Sequence, residues 1–147
     1  MENICLTSFA YPWFFGPYGK QLLYLIKEYK SKFNIYYLCL ELENDNLLNS
    51  DSFVDPNISD DIRETIKGVK FFGCKKHIQG EKSVLISSIN KLIQKYKINC
   101  LISLMDLDKF VCDVSFCCKS LAWYPNHFSP VNKYNLIQLY IRYATNR

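Results

Sequence analysis

At 147 residues the chain has room for one domain with a substantial core. Hydrophobic residues at 49% and charged residues at 22% are ordinary for a globular protein, and no apolar run reaches the roughly 18 residues that a membrane-spanning helix needs. The net charge of +4 hides an asymmetry: residues 41–64 hold eight acids and one base, Arg63, while the rest of the chain holds 17 bases against 6 acids.

That basic excess suits an anionic partner such as phosphate or a membrane, and equally a solvated lysine-rich surface. Lys far outnumbers Arg, the residue best suited to bases and phosphates, so nucleic acid is not expected as a partner. Seven cysteines are an odd number, and several fall inside expected strands. No secretory leader is legible, because Glu2, Pro12, Gly16 and Pro17 break the required pattern. Reduced thiols in a cytoplasmic setting are the expectation.

Residues 4–9 form a short apolar run with the character of a buried strand. An aromatic loop follows, and then a helix that opens around Gly16-Pro17-Tyr18-Gly19 and carries Leu22, Leu25, Ile26 and Tyr29 on one face. A helix N-terminus offers unpaired N–H groups there, and glycine lets a ligand approach the backbone. Residues 34–42 are nearly all apolar, as in a strand covered on both sides. Residues 43–57 are rich in Asn, Asp and Ser and read as a loop. Ser59, Asp60 and Asp61 cap a short helix that Gly68 stops in the left-handed conformation. A third strand at residues 69–72 precedes a loop at 73–82.

Residues 83–96 give the clearest helical spacing, with Leu85, Ile89, Leu92, Ile93 and Tyr96 on one face. A fourth buried strand spans residues 98–105, and Asp106 and Asp108 leave its carboxyl end. Residues 110–118 read as a short helix or irregular chain, residues 119–124 as a fifth strand, and Asn132 as the cap of a last helix to residue 143. Alternating strands and helices imply an α/β fold: a Rossmann-like parallel sheet of five or more strands with helices on both faces. Ligands of such sheets bind beyond the carboxyl ends of the strands, so any site is assembled from the loops at 11–19, 43–57, 73–82, 106–113 and 125–131.

The chemistry carried by these loops is sparse. Gly16-x-x-Gly19-Lys20 fits a phosphate or sugar cradle or a plain tight turn, and it matches neither the P-loop nor the dinucleotide fingerprint. His127, held in a loop between Pro125 and Pro130, is suited to hydrogen bonding or proton transfer, or to plain packing. Asp106 and Asp108 suit hydroxyl binding or helix capping. Cys74-x-x-His77 has the spacing of half a zinc site, but no second pair completes it, and no metal or other cofactor is expected. No complete catalytic constellation is visible.

The order of parts resembles the N-terminal domain of GT-B-fold glycosyltransferases, family 4-like. The resemblance rests on the first strand, the Gly16-Pro-Tyr-Gly19 loop and the long helix that follows. It continues through residues 92–106 (LIQKYKINCLISLMD) and residues 121–131 (LAWYPNHFSPV). The glycine pair is looser than the adjacent glycines usual in that family. The resemblance implies sugar transfer from a nucleotide sugar to an acceptor hydroxyl. His127 would face the donor sugar as the catalytic residue, while Gly16, Gly19, Lys20, Asp106 and Asn126 would line the acceptor side of the cleft. It also implies a donor-binding C-terminal domain that these 147 residues do not include, so this chain alone is expected to be inactive. The partners implied are a sugar or glycan acceptor and that second domain in cis. The basic helix at 83–97 fits an anionic membrane, or an ordinary surface. The alternative reading is a stand-alone Rossmann-like binding or regulatory module without catalysis; a bare apolar strip on the cleft side would favour the two-domain reading.

Overall fold

The computed structural model describes residues 1–14, 16–43, 46–77, 80–104 and 119–123. Its centre is β1 (Asn3–Ser8), paired in parallel with β2 (Asn34–Cys39) on one side and β5 (Cys100–Leu104) on the other. Beyond β2 lie β4 (Lys70–Phe72), parallel, and β3 (Leu48–Asn49), antiparallel at the edge. Beyond β5 lies β6 (Lys119–Trp123), again parallel. The order β3-β4-β2-β1-β5-β6 makes a six-stranded sheet with five parallel strands. The architecture is Rossmann-like.

Both faces of the sheet are covered. Alternation along each strand sends neighbouring side chains to opposite sides, so each strand feeds two cores. On one side α1 (Gly16–Tyr29) and α2 (Asp60–Ile66) bring Leu22, Leu25, Ile26 and Ile66 onto Leu6, Ile35, Tyr37 and Phe71. On the other side α3 (Lys82–Lys95) brings Leu85, Ile89, Leu92 and Ile93 onto Cys5, Leu38, Phe72 and Leu101. Each fully buried aliphatic or aromatic side chain is worth roughly 1.5–3 kcal/mol. Cys5, Cys39 and Cys74 are buried outside any disulfide and pack as small apolar side chains.

The edge strand β3 lies in the stretch that reads as a loop. Two residues in a polar segment carry no period, and their strand character comes from pairing with β4: Leu48 opposite Phe71 and Asn49 opposite Lys70. The Lys70 ammonium also donates to Asn49 Oδ1 at 3.1 Å. An antiparallel edge added to a parallel sheet is common, since it covers otherwise open backbone groups. The helix expected at 132–143 and the segment at 110–118 lie outside the described residues. Among the described residues, no helix is long and apolar enough to cross a membrane.

Local chemistry sets the helix ends. The Ser59 hydroxyl accepts from the Ile62 N–H at 3.2 Å and starts α2. Gly68 takes φ +88° while the Val69 N–H donates to the Ile66 carbonyl at 3.0 Å, which ends α2 in a tight turn. At the end of α3 the Ile98 N–H reaches the Ile93 carbonyl at 3.0 Å and the Lys97 N–H reaches Gln94 at 3.2 Å. That is a Schellman closure, and it forces Lys97 to φ +54°. Asn3 ties this corner to the sheet. Its side chain donates to the Tyr96 and Lys97 carbonyls at 3.2 and 3.1 Å and accepts from Asn34 at 2.9 Å. Because Lys97 holds a conformation that costs a non-glycine residue about 1 kcal/mol, Lys97→Gly is expected to stabilise the fold by about that amount. The denaturant midpoint should rise with an unchanged slope.

Candidate functional site

The winding of the chain reverses direction once in the sheet. From β1 the chain moves outward through α1, β2, α2 and β4, then returns by α3 on the opposite face to β5, on the other flank of β1. The strand order therefore reverses at β1, and in sheets of this kind ligands bind beyond the carboxyl ends of the strands at such a point.

On the β1 side the chain leaves Ser8 through a 3-10 turn, Pro12–Phe14, into α1. Gly16 begins α1 at φ +58°, in left-handed backbone space that favours glycine. A Cβ added there would meet no protein atom within 4 Å, so backbone conformation, and not crowding, requires glycine at this position. Gly19 is buried and Lys20 is exposed in the opening turns of the same helix. No acidic side chain lies in that first turn, so the positive end of the helix dipole is not offset from within.

On the β5 side Ser103 sits in register with Thr7, close to the carboxyl ends of both strands. Thr7 Oγ1 donates to the Leu38 carbonyl at 3.0 Å. Ser103 is 1% exposed, and its hydroxyl has no hydrogen-bond partner among the described residues. A buried hydroxyl left unpaired typically costs about 1–3 kcal/mol, which marks Ser103 as a polar group that packing alone does not explain. The only sequence signal for it is a lone hydroxyl near the end of an apolar run.

An aromatic floor supports the loop after β1. Tyr11 and Trp13 stack with ring centres 4.7 Å apart and planes 3° from parallel. Phe53 meets Tyr11 edge-on at 5.0 Å, and Phe71 meets Phe53 at 4.9 Å. The Tyr37 hydroxyl donates to the Ala10 carbonyl at 2.7 Å and pins the loop from below. The outer rim of this floor is bare: Phe14 is 53% exposed and Val54, next to Phe53, is 96% exposed.

Titratable groups within the floor are electrically quiet. Burial, reinforced by the neighbouring Cys39, raises the Tyr11 phenol above its ordinary value, and burial raises Tyr37 still more clearly. Burial also pushes the Cys39 thiol up to about 12, and its Sγ donates to the Phe9 carbonyl at 3.5 Å. These groups stay protonated near neutrality, so they support the site as packing and hydrogen-bond donors and supply neither base nor nucleophile. Among the described residues, no group of three or more His, Cys, Asp or Glu side chains could hold a metal ion.

The loop after β2 is locked to the end of β4 through Gly73. A Cβ on Gly73 would fall on the Leu42 and Cys39 carbonyl oxygens, and these are backbone atoms that cannot swing aside. The Lys75 N–H donates to the Leu42 carbonyl at 3.2 Å, and the Glu43 carboxylate accepts from the Lys76 N–H. Gly73 was legible in the sequence only as the start of a loop.

Of the expected site residues, Gly16, Gly19 and Lys20 lie together at the start of α1. Asp106 follows the end of β5 by two residues, and Asn126 and His127 follow the end of β6 by three and four; all three lie outside the described residues. No family model, curated protein or solved structure matches this chain.

Two consequences are measurable. Gly73→Ala is expected to cost about 3 kcal/mol, at the upper end for overpacking because the clash is with backbone, and urea denaturation reads this directly. Stability is also expected to fall as pH rises from about 9 to about 12. The folded state keeps the Cys39 proton until about 12, whereas an unfolded thiol releases it near its ordinary value of 9.0. Tyr11 and Tyr37 add to the same decline from 10.0 upward. Denaturant midpoints measured across this range should fall less steeply in Cys39→Ala.

Proposed function

We propose that this chain is the acceptor-side, N-terminal domain of a GT-B-type, family 4-like glycosyltransferase, with the donor-binding half supplied by a second Rossmann-like domain in cis. The observation that carries the reading is the start of α1 at Gly16, with no acidic side chain in its first turn, at the carboxyl end of the central strand and beside the exposed Phe14. Exposed apolar surface there is what a two-domain enzyme bares when one wall of its cleft is taken away. It favours this reading over a stand-alone binding module, whose cleft side would be polar.

On this proposal the first turn of α1 holds polar groups of the substrates through its free N–H groups, and Gly16 leaves that approach open. Lys20 supplies a positive charge at the rim. Asp106 and Asn126 orient acceptor hydroxyls, and His127 faces the donor sugar, as in the enzymes this sequence resembles. The nucleotide sugar is a substrate, and no metal is required by this reading. Catalysis on this side of the cleft is positioning and hydrogen bonding to developing charge, since the buried Tyr11, Tyr37 and Cys39 remain neutral.

Soluble glycosides titrated into the chain are expected to shift the amide resonances of Gly16, Gly19 and Lys20, and nucleotide sugars to bind only weakly. In the two-domain protein, His127→Ala should lower kcat by about a hundredfold or more. Turnover of a nucleotide sugar by residues 1–147 alone, or an unchanged kcat in His127→Ala, overturns the proposal.

A further inference from the structure

A cavity lies at the amino-terminal end of the sheet, where Rossmann-like folds do not place their substrates. Parallel pairing of β2 with β4 begins only at Tyr36 and Lys70. Before that point Asn34 and Ile35 belong to β2, whereas residues 67–69 form the turn that closes α2. The space between the two chains is a pocket of about 290 Å³ lined by Lys30, Phe33, Asn34, Ile35, Tyr36, Lys67, Gly68, Val69 and Lys70. Gly68 at φ +88° carries no side chain, and a Cβ there would point into open space, so nothing from the turn fills the cavity.

The lining holds three lysines and no carboxylate. Lys30 Nζ is fixed by the Glu64 and Thr65 carbonyls at 2.8 and 3.1 Å, at the closing end of α2. Lys70 Nζ is fixed by the amide oxygen of Asn49 at 3.1 Å. Lys67 is exposed at the rim. Neutral oxygens orient two of the ammonium groups without cancelling their charge, and among the described residues none of the three pairs with a carboxylate. The carbonyl end of α2 offsets roughly half a unit charge, which leaves the cavity with a net excess of more than two positive charges. Two acids stand close by, Glu2 and Glu64, and both meet the pocket's neighbourhood through backbone carbonyls. Phe33 and Tyr36 add aromatic walls.

We infer that this lysine-lined pocket at the amino-terminal edge of β2 and β4 is a binding site for a phosphate ester. Three lysines on the lining of a cavity of this size match the charge and bulk of a phosphorylated small molecule or a phospholipid headgroup. The site also gives a location to part of the basic excess outside residues 41–64. It does not depend on the proposed glycosyl transfer, because it lies at the opposite end of the strands.

The test is calorimetric titration of the intact chain with pyrophosphate at low ionic strength, alongside co-sedimentation with phosphatidylglycerol vesicles and with neutral phosphatidylcholine vesicles. Saturable pyrophosphate binding that weakens roughly tenfold in Lys67→Gln, and further in Lys67→Gln/Lys70→Gln, supports the site with a soluble ligand. Binding to anionic vesicles alone, with the same dependence on Lys67 and Lys70, supports it with a lipid headgroup. Lys67 is exposed, so its variant tests the pocket even if loss of the Lys70–Asn49 contact loosens the sheet edge. Lys91→Gln, on α3, is the control and should change neither measurement. Absence of binding in both arms overturns the inference, as does binding that ignores Lys67 or falls equally in Lys91→Gln.

Discussion

Parallel pairing on both sides of β1 is the constraint on which the remaining architecture rests. Six consecutive residues, Asn3 to Ser8, are matched to Asn34 to Cys39, and four of them also to Cys100 to Ser103. Parallel neighbours cannot be joined by a tight turn, so each pairing demands a crossover, and those that lead from β1 to β2, β2 to β4 and β4 to β5 each lay a helix on the sheet. Because β2 and β5 flank β1 on opposite sides, the crossovers end on opposite faces: α1 and α2 on one, α3 on the other. Burial of both faces follows, and with it the need for side chains such as Cys5 and Leu6 that are apolar in both directions.

The same constraint polarises the molecule along the strands. At the carboxyl ends the chain leaves β1 for the opening turn of α1. The aromatic floor beneath that turn is uncharged near neutrality, because burial holds Tyr11, Tyr37 and Cys39 in their protonated forms. At the amino ends the constraint relaxes in a different way. Asn3 clamps the end of α3 to β1 and β2, but β4 joins β2 only from Lys70 onward, and the gap before that point collects Lys30, Lys67 and Lys70.

Much of the fold was legible because its signals are local. The continuous apolar run at 34–42 and the three- and four-residue spacing of Leu85, Ile89, Leu92 and Ile93 each report burial directly. Ser59 and Gly68 announced the two ends of α2 through capping chemistry that acts within a few residues. β3 gave no such signal, since Leu48 and Asn49 become a strand only by meeting β4. Gly16 was legible as a special position, and the structure adds a local reason for it: the backbone is left-handed there. Gly73 shows the converse. Its requirement comes entirely from the Leu42 and Cys39 carbonyls, contributed by a loop some thirty positions away in sequence, and nothing beside it in the chain predicts that contact.

By itself the sequence determined the alternation of strands and helices, the face each helix buries and the start of α1 at a glycine. Hydrophobic period and capping act over a single turn or strand and need no partner to be read. Tertiary structure alone decided the order of the strands, the reversal at β1, the unpaired hydroxyl of Ser103 and the convergence of three lysines on one cavity. Each of these depends on which distant segments become neighbours, and that outcome is set by pairing and packing across the whole sheet.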